Sequence, residues 1–555
     1  MLNSSCYQLL IVVESPFVNQ GYKGVKQYMK FFIRIIKNQW LFLIILAVGI
    51  FARIWDFGNI PPGLNPDEAS IGVEAYYLYK FGMDRNGISY PVHLISWGSG
   101  QNALYAYILI PFIAVRGLNV ETIRLPMLLS GILSLPLMYY VGKQLFGIKY
   151  ALVAMFFMAI SPWHIVNTRW AVESNILPFI FLAGFAFFLA ARDRGMWFIP
   201  ASVCFAISLY AYGTTYVAIP VFMALSIPAV IYFKRIEIKY IISGLLLFVI
   251  LALPIILFVT INIFKLDTIN IGIMTIPRLP VEARYESLAV VFEKSPLNTI
   301  ANNSIIMFKL LWNQEDDFSW NFVEPFGYFY KLTFPLVAIG FFFLISSLKN
   351  VKENIFECWL LFSWIISSIS IGIIHPVNLT RINLIFIPIL FCAALCLTEF
   401  NKHIKYVMPA TLVILFIAFA FFTIAYHGPT YQKRADEVFN AGIIPAIEYA
   451  NRNSNSLICI TEQTRFAYIY VLFVNKFNPS EYLDRIEWLL PEHHPLDPAR
   501  TPRALGLYRF RISDCAEDPN AVFVLKLKET PPNLEIKYKI RKFIKYQVYL
   551  PKVTP

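Results

Sequence analysis

The sequence predicts a polytopic α-helical membrane protein of about eleven transmembrane helices, followed by a C-terminal α/β domain outside the membrane. Three observations carry that expectation. Hydrophobic residues fill 57% of the 555 positions and charged residues 15%, whereas soluble domains are roughly one-quarter charged. The Lys and Arg that remain collect in alternate connections between apolar runs. The last quarter of the chain regains charge, proline and short alternating segments. The 49 Phe, 31 Tyr and 11 Trp exclude a disordered, collagenous or low-complexity chain. The cysteine count, 7, is odd, and Cys204, Cys358, Cys392 and Cys396 lie in apolar runs, which excludes a small disulfide scaffold and leaves Cys459 and Cys515 as the pair able to meet.

Residues 1–39 form a basic segment. Lys23, Lys26, Lys30, Arg34 and Lys37 against Glu14 alone place this end in the cytoplasm. The early apolar run is broken by Ser15 and Pro16 and precedes its basic cluster, so the first span, 40–55, is expected to be an uncleaved anchor. Further spans are predicted at 125–141, 150–161, 176–191, 197–209, 216–233, 240–261, 332–348, 356–373, 382–397 and 406–426. Every second connection is basic: Lys143 and Lys149, Arg192 and Arg194, Lys234 with Arg235 and Lys239, Lys349 and Lys352, Lys402 and Lys405. These mark the cytoplasmic face. The +12 balance, 47 Lys+Arg against 35 Asp+Glu, is thereby explained by topology, and no nucleic-acid partner is expected.

Two outer connections are long, 56–124 and 262–331. The apolar stretch 103–115 is read as a helix at the outer interface, because counting it as a span would invert every later connection. The expected domains are 1–39, a membrane catalytic module at 40–426, and an extracytoplasmic α/β domain at 427–555, with strands near 456–460, 521–527 and 546–550 after a helix near 440–450.

Chemistry-bearing residues gather in the first outer loop. Asn65-Pro66-Asp67-Glu68 reads as a helix start, with Asn65 as N-cap, Pro66 at N1 and the acids at the positive end of the dipole. Glu74 follows about two turns later and reads as a solvated loop acid. Downstream come Gln101 and Asn102, then Arg124-Leu125-Pro126 opening a span, Ser161-Pro162 leading to Arg169 and Glu173, and His375-Pro376 leading to Arg381. Arg169 and Arg381 also sit where arginines snorkel to headgroups.

That ordered set resembles the polyprenyl-phosphate-sugar-dependent glycosyltransferases of the GT-C superfamily, in the branch of the protein O-mannosyltransferases and the lipid A aminoarabinose transferase. The resemblance covers most of residues 40–426. It implies a GT-C-like membrane fold and transfer of a monosaccharide from a polyprenyl-phosphate carrier to a hydroxyl or amine acceptor on a lipid, glycan or protein, at the outer face of a plasma membrane and with inversion. It assigns the acidic pair Asp67 and Glu68 to catalysis, Asp67 as base, and Arg169, Arg381 and Arg124 to the donor phosphate. Glu74, Glu173, Gln101, Asn102, His375 and Tyr212 would line the substrate. One departure stands out: relatives carry a basic element where this chain has Gly98-Ser99-Gly100-Gln101-Asn102.

The residue types suit the reaction. A carboxylate can take the acceptor's proton, and guanidinium groups match phosphate oxygens bidentately where charge grows on the leaving group. No cofactor is indicated by the sequence, and a divalent cation stays open. Glu315, Asp316 and Asp317 are a candidate for a divalent cation, with a solvated charge run as the simpler reading. His493-His494 lacks partners at ligand spacing. Competing classes are a transporter or flippase of lipid-linked sugars, which would show matching halves and midplane charges, an O-antigen-type polymerase or ligase, and an anchored sensor.

Overall fold

The computed structural model describes residues 39–280, 295–314, 320–349, 354–488, 502–532 and 537–552. The basic N-terminal segment, Lys352, Glu315 to Asp317 and His493-His494 lie outside them. In chain order the helices are α1 (Gln39–Ile54), α2 (Pro66–Phe81), α3 (Leu104–Arg116), α4 (Val120–Phe146), α5 (Ile148–Ile160), α6 (Pro162–Asn167), α7 (Leu177–Ala190), α8 (Phe198–Ala211), α9 (Thr215–Tyr232) and α10 (Ile238–Ile263). Then follow α11 (Pro296–Asn313), α12 (Thr333–Lys349), α13 (Ile355–Ile374), α14 (Phe386–His403), α15 (Val407–Tyr426), α16 (Pro429–Val438), α17 (Ile443–Asn453), α18 (Ala467–Asn475) and α19 (Pro479–Arg485).

Each of the predicted spans coincides with a helix. Among the described residues, 7 helices are long and apolar enough to cross a membrane: α4, α7 with the turn before it, α9, α10, α13, α14 with its preceding turn, and α15. The others, α1, α5, α8 and α12, are shorter apolar helices. The stretch read as an interface helix is α3, 13 residues long, with Tyr105, Ala106, Leu109 and Ile113 buried and its sides packed on α2 and α4.

Packing is close wherever residues are small. A Cβ at Gly340 of α12 would fall onto the Cys392 carbonyl of α14, so glycine sets how near those two helices come. Cys392 and Cys396 are buried on α14 as packing residues. The helix ends sort by chemistry. Lys143, Arg192, Lys234 and Lys402 lie at one set of ends, where Arg192 joins Glu357 of α13 at 2.5 Å and Gln144 of α4 at 2.9 Å. Arg124, Glu173 and Tyr212 lie at or just before the opposite ends of α4, α7 and α9, and His375 follows α13 in the connection to α14.

The C-terminal part folds around a seven-stranded mixed sheet. Its strands are β5 (Ile458–Ile460), β6 (Ile486–Trp488), β7 (Pro502–Leu505), β8 (Tyr508–Arg509), β9 (Val522–Lys526), β10 (Tyr538–Lys542) and β11 (Tyr546–Pro551), after short hairpins β1 (His93–Leu94) with β2 (Gln101–Asn102) and β3 (Ile269–Ile271) with β4 (Met274–Ile276) in the long connections 56–124 and 262–331. The order is β10-β11-β9-β5-β8-β7-β6, with β5 parallel to both neighbours. Cys459 of β5 is disulfide-bonded to Cys515, the pair the sequence singled out. This unit docks on the connection 56–124: α18 packs along α2, and Tyr470 Oη donates to the Leu64 carbonyl at 2.9 Å. Gly63, at φ +71°, lets the loop meet the backbone at Phe439, a conformation and an approach that a Cβ would forbid.

Candidate active site

The helix start at Asn65 is built as its sequence suggests. Asn65 Oδ1 accepts from Asp67 N at 2.9 Å, and Glu68 Oε2 accepts from Asn65 N at 3.2 Å, a capping box that fixes the direction of both acids. Glu68 is fully buried and Asp67 half-buried.

Glu68 is spent on Arg124. The pair is bidentate, Nε to Oε1 and Nη2 to Oε2, both 2.8 Å, and Glu68 Oε1 also accepts from Ala171 N at 2.8 Å. The remaining Arg124 N–H groups go to the carbonyls of Gly58 (3.3 Å), Pro61 (2.6 Å) and Gly63 (2.8 Å). All five donors of that guanidinium are thus committed. The arrangement ties α2, α4 and the segment after α6 into one frame.

Glu74, expected to be solvated, is instead fully buried, because α2 is covered by α3 and α18. It faces Arg85 Nε at 3.3 Å and accepts from Arg85 N at 2.8 Å. Burial pushes its carboxyl up to about 7, against the pull of the Arg85 charge. Asp84, whose Oδ1 accepts from Asn86 N (2.8 Å) and Ile88 N (2.9 Å), is pushed up by burial to about 6. Arg85 also donates to Ser70 Oγ at 2.7 Å and lies 4.3 Å over the Trp97 ring. A cation therefore does stand beside the Gly98–Asn102 stretch, delivered from the preceding turn. Trp97 Nε1 donates to Asp67 Oδ1 at 2.9 Å, and Asp67 Oδ2 has no hydrogen-bond partner among the described residues.

Gln101 and Glu173 come together, Nε2 to Oε2 at 2.9 Å, and Gln101 Oε1 accepts from Ser96 Oγ at 3.0 Å. Asn102 reaches the junction of α8 and α9, at 3.4 Å from the Leu209 carbonyl and 3.5 Å from Tyr216 Oη. Tyr212 ends α8 beside it, half-buried.

Arg169 does not snorkel: it is fully buried and donates to the carbonyls of Ile60 (3.1 Å), Ala52 (3.3 Å) and Asp56 (2.8 Å). Arg53 lies close by, bonded to the Gly49, Met158 and Ala159 carbonyls and to His164 Nδ1 at 2.5 Å. Burial and the Arg53 charge hold His164 well below its ordinary value, so it is neutral. Arg381 is half-buried and gives one N–H to the Pro376 carbonyl at 3.1 Å, leaving four side-chain N–H groups uncommitted among the described residues. Next to it His375 is buried with neither ring nitrogen hydrogen-bonded, and burial and Arg381 hold it down at about 4.

Sequence reasoning missed Arg85 and Arg53. Arg85 sits in Asp84-Arg85-Asn86-Gly87, which reads as an ordinary turn. Arg53 had a signal, since it is the single charge within 40–55. Among the described residues no group of three or more His, Cys, Asp or Glu could hold a metal ion.

The sequence model of the dolichyl-phosphate-mannose-protein mannosyltransferase family matches residues 102–258, from β2 to α10. No curated protein sequence matches the chain. Among solved structures, ArnT from Cupriavidus metallidurans in the apo state is similar over 95% of this chain and 98% of that one, with a TM-score of 0.50 and 10% identity. The same protein bound to undecaprenyl phosphate gives 0.49 and 12%, over 93% and 98% of the two chains. The oligosaccharyltransferase AglB from Archaeoglobus fulgidus, in complex with an inhibitory peptide and a dolichol-phosphate, is similar over 79% of this chain, with a TM-score of 0.47 and 13% identity, and the match spans 64% of its own length. The chain thus shares the overall fold of ArnT along 95% of its length, and its residues 102–258 match the mannosyltransferase family model.

Proposed function

We propose that the protein transfers a monosaccharide from a polyprenyl-phosphate carrier to a hydroxyl or amine acceptor at the outer face of the plasma membrane, with inversion at the anomeric carbon. The observation that carries this reading is the division of labour among the acids. Glu68 and Glu74 are paired with arginines and Glu173 with Gln101, whereas Asp67 is held by a single N–H on a capped helix and keeps one carboxylate oxygen uncommitted among the described residues. A general base needs that combination of fixed direction and open lone pairs. The description of the matching family, which names a dolichyl-phosphate-linked mannose, supports the donor class.

Arg381, with most of its fork free, is the donor-phosphate ligand in this reading. Arg169, which gives its N–H groups to the carbonyls of Ile60, Ala52 and Asp56, and Arg124, which acts through Glu68, are positioning residues in this reading. Residues 40–426 make up the catalytic module, with the basic helix ends in the cytoplasm, and 427–555 the extracytoplasmic domain. The leaving polyprenyl phosphate takes the electrons of the glycosidic bond, Asp67 takes the acceptor proton, and attack from the opposite face inverts the sugar. The test is to give the full chain, in vesicles, synthetic polyprenyl-phosphate sugars with envelope extract as acceptor. A product of opposite anomeric configuration is expected. Retention, or no turnover with any polyprenyl-phosphate sugar, overturns the reading.

A further inference from the structure

A cleft of about 460 Å³ opens in the C-terminal unit among α17, α18, α19 and the turn between β7 and β8, within the size range of small-ligand sites. Its polar floor is a closed ring of hydrogen bonds. Asn451 Nδ2 donates to Asn475 Oδ1 at 3.0 Å, Asn475 Nδ2 to Tyr508 Oη at 2.9 Å, and Tyr508 Oη to Asn451 Oδ1 at 2.6 Å. The ring locks both amides in orientation while leaving Asn451 one N–H and Asn475 Oδ1 one lone pair. Asn455 stands exposed on the rim, and Phe477 and Tyr482 contribute aromatic surface. The charges lining the cleft cancel, because Arg485 and Glu481 are ion-paired at 3.0 Å.

This chemistry selects its ligand. An anion or cation finds no net countercharge, and a purely apolar molecule would strand the oriented amides. A neutral molecule bearing hydroxyls on its edges and C–H groups on its faces satisfies both parts of the lining, which describes a sugar ring.

The cleft is also placed in line with the candidate base. Phe466, immediately before α18, stacks 4.2 Å from the Trp97 ring, and Trp97 holds Asp67. Asn475 ends that helix 9 residues on, so the cleft lies about 13 Å along α18 from the Asp67 end. The far end of α18 is tied to α2 as well, Lys476 lying 5.9 Å over the Tyr76 ring. A chain of sugars can bridge that distance where a single sugar cannot.

We infer that this cleft binds a sugar unit of the acceptor, so that the acceptor is a glycan held on the C-terminal unit while its reacting hydroxyl reaches Asp67. The inference rests on the transferase reading and extends it by naming the acceptor class. Its test is saturation-transfer NMR on the full chain in detergent, with oligosaccharides released by mild acid from the host envelope as probe and a peptide digest of envelope proteins as competitor. Saturation of sugar ring protons is expected, weakened by about fivefold for each hydrogen bond lost in Asn451→Ala or in the exposed Asn455→Ala. Absence of saturation, equal saturation in parent and variants, or displacement by the peptides overturns the inference. Asp67→Asn separates the two readings: sugar binding persists there if the cleft is the acceptor site, whereas full turnover by that variant would remove the base and leave the cleft standing.

Discussion

The indole N–H of Trp97 meets Asp67 Oδ1 at 2.9 Å, while the Arg85 guanidinium lies 4.3 Å over the same ring. Asp67 is thus aimed by a residue that the C-terminal unit also grips, through Phe466. Replacing Trp97 by Phe keeps the ring contacts and removes the donor. Turnover is expected to fall about tenfold or less, in keeping with one neutral hydrogen bond, while the donor KM and the thermal midpoint stay close to those of the parent. A loss confined to KM would argue against a role in aiming the base.

Glu68→Gln and Arg124→Met should act on folding. Each leaves a buried charge without its partner, which costs about 3–5 kcal/mol, and thermal unfolding of the solubilised chain should move down accordingly. A variant of normal midpoint with lost activity would return these residues to a direct role in chemistry.

The burial of Glu74 and Asp84 predicts a pH effect. Their carboxyls lie at about 7 and about 6 in the folded chain, above the ordinary carboxylate range near 4. Between those limits the folded state holds protons that the unfolded state has released, so this contribution to stability falls as pH rises from about 4 to about 7. His375, held down at about 4, contributes the opposite slope up to about 6.5. The difference between parent and Glu74→Gln isolates Glu74: the variant should lose less stability across that range, and identical pH profiles would contradict the assignment.

The bridge between Cys459 and Cys515 closes a separation of 56 residues around β5, whose Ile458 lines the cleft. Replacing both cysteines by Ser should cost about 2–4 kcal/mol and weaken sugar binding in the NMR experiment. Unchanged binding would show that the bridge does not shape the cleft.

Local features were legible in the sequence and long-range pairings were not. The cap at Asn65-Pro66-Asp67-Glu68 could be read because its hydrogen bonds span three residues, and the apolar runs gave their helices because length and composition suffice. Arg124 looked like a phosphate ligand, since nothing local announces a bidentate partner 56 positions earlier. Glu74 looked solvated, since its cover comes from α18, about 400 residues later in the chain, and local pattern carries no signal over that distance. Gln101 and Glu173 were both singled out, but their mutual bond follows from the β1–β2 hairpin reaching the turn before α7.

The central claim is that Asp67 removes the acceptor proton. Its most direct measurement is single-turnover sugar transfer from a polyprenyl-phosphate donor by parent and Asp67→Asn, with donor binding followed in parallel. The rate of the variant should fall by about 10²–10⁴-fold with donor binding retained. Parental transfer rates in Asp67→Asn would contradict the account.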